Sequence, residues 1–224
     1  PPPVATHPRA APGEPYALET PTGTLHGTLV LANPAGPHPV ALLIAGSGPT
    51  DRDGNSAIAG RNDSLALLAE GLAQQGISSV RYDKRGLAES AAAGPASEAD
   101  LTFDTYVDDA TAWVRRLRED ARFSEVIVIG HSEGSLIGMV AAGRAGADAF
   151  VSIAGAGRRA PDVLRGQLRP QLSSDLWNES ERILASLENG QQVGDVPPAL
   201  APLYRESVQP YLISWFRYDP AQEI

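Results

Sequence analysis

The sequence predicts an α/β sandwich built on a mostly parallel sheet, and three observations carry that prediction. Short apolar runs alternate with segments of helical periodicity from Val40 to Ala154. One of those runs, Val40-Ala41-Leu42-Leu43-Ile44, has no polar alternation, as a strand covered on both faces should have none. Finally, Glu125-Val126-Ile127-Val128-Ile129 leads straight into Gly130-His131-Ser132-Glu133-Gly134 and then into the apolar stretch Leu136 to Ala142, which reads as strand, tight turn and buried helix. Strands and helices in strict alternation specify right-handed parallel crossovers.

The elements follow in order. Pro1, Pro2, Pro3, Pro8, Pro12 and Pro15 among small residues make 1–15 an extended lead-in. Two short strands, Tyr16 to Thr20 and Leu25 to Leu31, flank the turn Pro21-Thr22-Gly23, and His26 reads as an ordinary strand residue. Asn33-Pro34-Ala35-Gly36-Pro37 is a loop, since its prolines forbid regular structure. After the central strand, Leu65, Leu68, Ala69 and Leu72 mark a helix capped by Asp63 or Ser64 and ended by Gly76. Ile77 to Tyr82 is a strand, and residues 88–99 form a flexible Ala/Gly/Ser/Pro stretch. Phe103, Tyr106, Val107, Ala110, Trp113, Val114 and Leu117 place one apolar stripe on a long helix, with Asp108, Asp109, Arg115, Arg116 and Arg118 on its solvated side. Ala149 to Ala154 is the strand after the elbow.

Beyond Gly155 the pattern turns helical: Pro161 to Gln171, Ser174 to Leu187, and Val208 to Phe216, with a proline-rich break at 197–202. This divides the chain into the lead-in (1–15), an α/β core (16–157), a helical segment (158–218) read as a cap over the site, and the start of a further core segment (219–224). A simple helical covering of the sheet fits 158–218 as well.

Composition bounds the function. The chain has 224 residues, a formal net charge of −9 and no cysteine. Nucleic acid and anionic membrane both call for a basic face, which this sequence does not offer. Disulfides, thiolate catalysis and cysteine-based metal sites are excluded. No apolar run reaches the ~18 residues of a membrane span. The absence of an initiating methionine ahead of Pro1 and the Pro/Ala-rich start fit an exported bacterial protein, with a cytosolic origin also open. No metal or cofactor is called for.

The chemistry resides in the elbow. A Gly-x-Ser-x-Gly turn between strand and helix holds a serine hydroxyl exposed at the sheet edge, and its glycines stand where no Cβ fits. Ser132 is therefore the nucleophile, framed by Gly130 and Gly134. Together with Ala45-Gly46-Ser47-Gly48-Pro49-Thr50-Asp51-Arg52-Asp53-Gly54-Asn55 and Arg81-Tyr82-Asp83-Lys84-Arg85-Gly86, this motif order resembles the α/β-hydrolase superfamily, especially bacterial serine esterase and peptidase-like members. The resemblance covers 16–220 and implies an α/β-hydrolase sandwich with a helical cap insertion. It also implies an oxyanion hole from the backbone N–H of Glu133 and one from Ser47 or Gly48. Asp51, Arg52 and Asp53 read as a loop ion-pair network, and Arg85 as a tie between neighbouring loops.

Such enzymes place the acid and then the histidine after the serine. Here the histidines are His7, His26, His38 and His131, none downstream, and His131 reads as a packing or hydrogen-bonding neighbour. The resemblance therefore puts the triad acid and base on two further strands beyond Ile224, on a longer chain or a separated C-terminal segment. Asp162 is the alternative acid within the chain. The function that follows is a serine hydrolase cleaving an ester, thioester or small amide of a small-molecule acyl substrate. An acyltransferase, and a non-enzymatic binding or interaction module on the same fold, use the same motifs.

Overall fold

The computed structural model describes residues 13–32, 36–56 and 60–223. The lead-in through Pro12 with His7, the loop residues Asn33, Pro34 and Ala35, and Ile224 lie outside the described residues. Among the described residues, six strands form one sheet: β1 (Glu14–Thr20), β2 (Gly23–Val30), β3 (His38–Ile44), β4 (Ser78–Tyr82), β5 (Phe123–His131) and β6 (Ala149–Ile153). Their spatial order is β1-β2-β4-β3-β5-β6. β1 and β2 form an antiparallel hairpin, β2 joins β4 antiparallel, and the other pairs are parallel.

The unalternated run earns its place. All of Val40, Ala41, Leu42, Leu43 and Ile44 are fully buried, because alternate side chains of β3 enter two different cores. Val40, Leu42 and Ile44 join the larger one with α2 (Phe103–Arg118) and α3 (Glu133–Ala145), while Ala41 and Leu43 face α1 (Ser64–Gln74). The predicted α2 stripe from Phe103 to Leu117 is buried as expected. Its hydroxyl cap is Thr102, which accepts from the Thr105 N–H.

Several expectations are corrected. Asp63 stands at the N-cap position of α1, but its side chain makes no capping bond. It sits at φ 51° and its carboxylate accepts from Asn55 and Arg61, while the Ser64 N–H donates to Asn62 Oδ1 and the Leu65 and Ala66 N–H groups donate to the Asp53 carbonyl. Asp109 is not on a solvated face: it is buried against Arg85, which donates two hydrogen bonds to it. The stretch 88–99 holds one 3₁₀ segment, Ala88–Ala93, and enters a second, Glu98–Asp100. Arg85 anchors the first through the Ala93 carbonyl (2.8 Å), and Arg205 and Ser207 hold Glu98 in the second. Small residues allow that close packing, so low complexity here is a packing feature.

The helical region comprises α4 (Ala160–Leu168), α5 (Ser174–Glu188), α6 (Ala201–Tyr204), α7 (Gln209–Phe216) and α8 (Pro220–Glu223). The predicted proline-rich break runs into α6, whose Pro202 falls in the first turn, where a missing N–H costs nothing. α7 packs on α2 through Phe103, Tyr106, Tyr211 and Trp215. At the far edge, β6 has no strand on its outer side among the described residues, and Val151 (43%) and Ile153 (36%) are exposed.

Candidate active site

β5 and α3 meet at Ser132. The residue has φ 54°, ψ −119°, a conformation that costs a non-glycine residue about 1–3 kcal/mol and persists only where its surroundings fix it. Here the surroundings do so from three sides. The Ser132 N–H donates to the Ile153 carbonyl at 2.9 Å, its carbonyl accepts from Ser135 N–H at 3.0 Å, and Gly46 crosses so close that a Cβ there would lie 3.2 Å from Ser132 Cβ. The flanking glycines are enforced by contact. A Cβ on Gly130 would lie 2.1 Å from the Gly134 carbonyl oxygen, and one on Gly134 would lie 2.5 Å from the carbonyl oxygens of Ile44 and Ala45. The N-terminus of α3 is thereby pressed onto the end of β3.

Glu133 is the first residue of α3, so its N–H belongs to the unpaired, partially positive helix start. The loop after β3 lies alongside. Thr50 holds it from outside, donating from its hydroxyl to the Ser47 carbonyl (3.1 Å) and from its N–H to the Gly48 carbonyl (2.8 Å). From inside, Lys84 Nζ donates to the Gly46 carbonyl (2.8 Å) and to Glu133 Oε1 (3.1 Å). Ser47, Ser132 and Glu133 all line one cavity of about 550 Å³, whose apolar wall includes Leu136, Val163, Leu164 and Trp215. A second cavity of about 650 Å³ lies across the loop, bordered by Gly48, Lys84, Tyr106, Glu133 and Tyr211. Burial, with the Glu133 charge next in importance, pushes the Tyr106 and Tyr211 hydroxyls above their ordinary range, so both are neutral at physiological pH.

The loop ion pairs assemble as expected. Asp51 accepts from the Asp53 and Asn55 N–H groups, Arg52 pairs with Asp83 at 3.3 Å, and Arg81 pairs with Asp53 at 2.7 Å. Burial pushes the Asp83 carboxyl up against the opposing pull of Arg52. Arg85 ties four segments together, reaching Thr20, Thr22, Ala93 and Asp109.

The described histidines stand apart from this chemistry. His38 is at the start of β3, paired with Phe123, whereas Ser132 follows the opposite end, where Ile44 pairs with Gly130. It is buried and bonded to Ser78 (2.6 Å). His26 is on β2, three strand spacings from β5, or about 14 Å at ~4.8 Å per spacing. His131 is exposed and packs beside Gly46. Asp162 lies exposed in the first turn of α4, contacting Arg165. Among the described residues, Ser132 has no histidine partner.

Comparison with known proteins gives the family to which this strand-turn-helix chain is similar. A family model described as serine aminopeptidase, S33, matches residues 59–189. The chain belongs to this α/β-hydrolase family. The match includes the elbow and the Asp83–Gly86 loop but not Gly46–Gly48. Esterase EstD of Thermotoga maritima is 33% identical over 175 residues, covering 78% of this chain and 40% of the relative. The chain thus spans two fifths of the length of that relative. Among solved structures, a putative hydrolase from Agrobacterium vitis S4 has a TM-score of 0.52 at 18% identity, with 84% of this chain and 66% of that one covered. Est1E from Butyrivibrio proteoclasticus, solved with ferulic acid, also has a TM-score of 0.52, at 19% identity over 67% and 56%. These structures show that the family's fold is present.

Lys84 escaped the sequence reading. Nothing in Asp83-Lys84-Arg85 distinguishes its lysine from a surface charge. The pocket wall from α4 and α7 was equally hidden, since its residues also satisfy helical amphipathicity.

Proposed function

We propose that this protein is an ester hydrolase working through an acyl-enzyme on Ser132. The observation that carries the reading is Ser132 itself, held at φ 54° at the start of α3 in a cavity shared with Ser47 and Glu133. Ser132 Oγ attacks the ester carbonyl as its proton passes to a base. The carbonyl oxygen becomes an oxyanion facing the Glu133 N–H and an N–H of Ser47 or Gly48, and collapse expels the alcohol with a proton. Water then repeats the sequence on the acyl-enzyme. The name of the Thermotoga relative, an esterase, supports esters over amides.

The substrate is a small-molecule ester whose acyl group lies along Leu136, Val163, Leu164 and Trp215, with α4 to α7 serving as the cap. The acid and histidine are assigned to polypeptide beyond Ile224, covalently continuous or separately docked. The edge of β6, which carries no further strand among the described residues and exposes Val151 and Ile153, supports that assignment: such an apolar edge calls for a partner.

The test is hydrolysis of p-nitrophenyl esters by full-length protein, with labelling by a fluorophosphonate. Ser132→Ala is expected to abolish both and leave the fold intact. Unchanged hydrolysis by that variant would overturn the mechanism, and tight ester binding without turnover by the wild type would favour a binding module.

A further inference from the structure

We infer that Lys84 is a positioning residue that sets both donors of the oxyanion hole. This rests on the acyl-enzyme reading above and deepens it. Lys84 follows β4, yet its ammonium is spent entirely inside the site. One bond goes to the Gly46 carbonyl at 2.8 Å and one to Glu133 Oε1 at 3.1 Å, and the Tyr106 ring lies 4.9 Å away at its centroid. Lys84 and Glu133 side chains are only 2% and 5% exposed. Three donors thus meet an acceptor, an anion and a π face, which satisfies the group in full.

The geometry gives that arrangement a consequence. A trans peptide points its C=O and N–H in opposite directions. The Gly46 carbonyl and the Ser47 N–H share one peptide plane, so an ammonium that fixes the carbonyl also fixes the direction of the Ser47 N–H. Gly46 is the residue packed on Ser132, and Ser47 lines the cavity with it. The second arm holds the side chain of Glu133, whose backbone N–H is the other donor. Lys84 also neutralises the Glu133 carboxylate. Without that cation, a buried negative charge would stand beside the place where the oxyanion forms and oppose it. Electrostatic stabilisation of this kind depends on donors fixed before the reaction begins. Lys84 supplies that fixation by joining the loop after β3 to the start of α3.

A purely structural ion pair would be equally buried, so the test must separate the two roles. Lys84→Met alone leaves Glu133 without its cation and endangers folding. The informative variant is Lys84→Met combined with Glu133→Gln in the full-length protein, because neutral replacements of similar volume are often tolerated in place of a buried pair. Rates are normalised to the folded fraction. With the Gly46 carbonyl unheld, kcat for a p-nitrophenyl ester is expected to fall about 100-fold, approaching the loss of one oxyanion donor. KM should change less than about threefold, since ground-state binding is not involved. Affinity for a trifluoromethyl ketone, which forms a tetrahedral adduct with the serine, should fall in parallel with kcat. Wild-type kcat in the folded double variant would overturn the inference while leaving the acyl-enzyme reading standing. Retained hydrolysis by Ser132→Ala would instead remove that reading, and this inference with it.

Discussion

Gly134→Ala is expected to lift the start of α3 off the end of β3 and to damage turnover more than stability. The added Cβ would lie 2.5 Å from the carbonyl oxygens of both Ile44 and Ala45. Ordinary contact begins near 3.4 Å, so two rigid backbone segments must separate by about 0.9 Å, an overpacking that costs about 1–3 kcal/mol. For a domain of this size that is a fall in Tm of roughly 3–10 °C. The same displacement moves the Glu133 N–H against Ser132 and the Gly46 loop, and a misplacement of about 1 Å can reduce turnover about 100-fold. The control is Gly143→Ala on the same helix. There a Cβ meets nothing within 4 Å, so better helix propensity should stabilise by up to about 1 kcal/mol and leave turnover unchanged. Thermal unfolding and p-nitrophenyl ester kinetics on the full-length variants decide it. If Gly134→Ala kept both its wild-type Tm and its kcat, close approach of α3 to β3 could not be what requires glycine at this position.

The other expectations concern the ties around the site. Arg85→Met strands buried Asp109, whose carboxyl burial already pushes up against the pull of Arg85. Breaking such a pair costs about 3–5 kcal/mol, so Tm should drop roughly 10 °C, and adding Asp109→Asn should recover part of it. The Arg122 hydrogen bond, aided by the Arg122 N–H and Tyr16, holds the Asp120 carboxyl well below the usual carboxylate range. The folded protein therefore binds that proton more weakly than the unfolded chain. Its stabilisation is complete above about pH 4 and is lost as the pH falls further. Asp120→Asn should lower neutral-pH stability by about 1 kcal/mol and flatten the acid limb of the unfolding midpoint against pH. Burial, followed by the Asp120 hydrogen bond, pushes the Tyr16 hydroxyl up to about 12, and in the same variant its absorbance titration should move back toward 10. Leu164→Trp should narrow the cavity beside Trp215 and reduce kcat/KM for octanoate esters at least tenfold more than for acetate. Equal effects on the two would place the acyl group elsewhere.

The sequence by itself determined what depends on neighbouring residues. The doubly buried β3, the apolar stripe of α2 and the Gly-x-Ser-x-Gly turn are legible because side-chain periodicity and turn stereochemistry act within a few residues. The order Gly46-Ser47-Gly48 before Ser132 likewise placed the loop and the serine at the same end of parallel strands. Tertiary structure decided what depends on strand order and on desolvation. Lys84 and Glu133 are 49 residues apart, and Arg85 and Asp109 are 24 apart. Each pair forms only because β4 and β5 flank β3 while α2 and α3 pack over the same face. Sequence period cannot say which charges lose water, so Asp109 read as solvated and Lys84 as unremarkable, whereas both lie where three elements converge. The 3₁₀ segments of 88–100 depend on the same cause, since their order comes from Arg85, Arg205 and Ser207 reaching them from elsewhere in the chain.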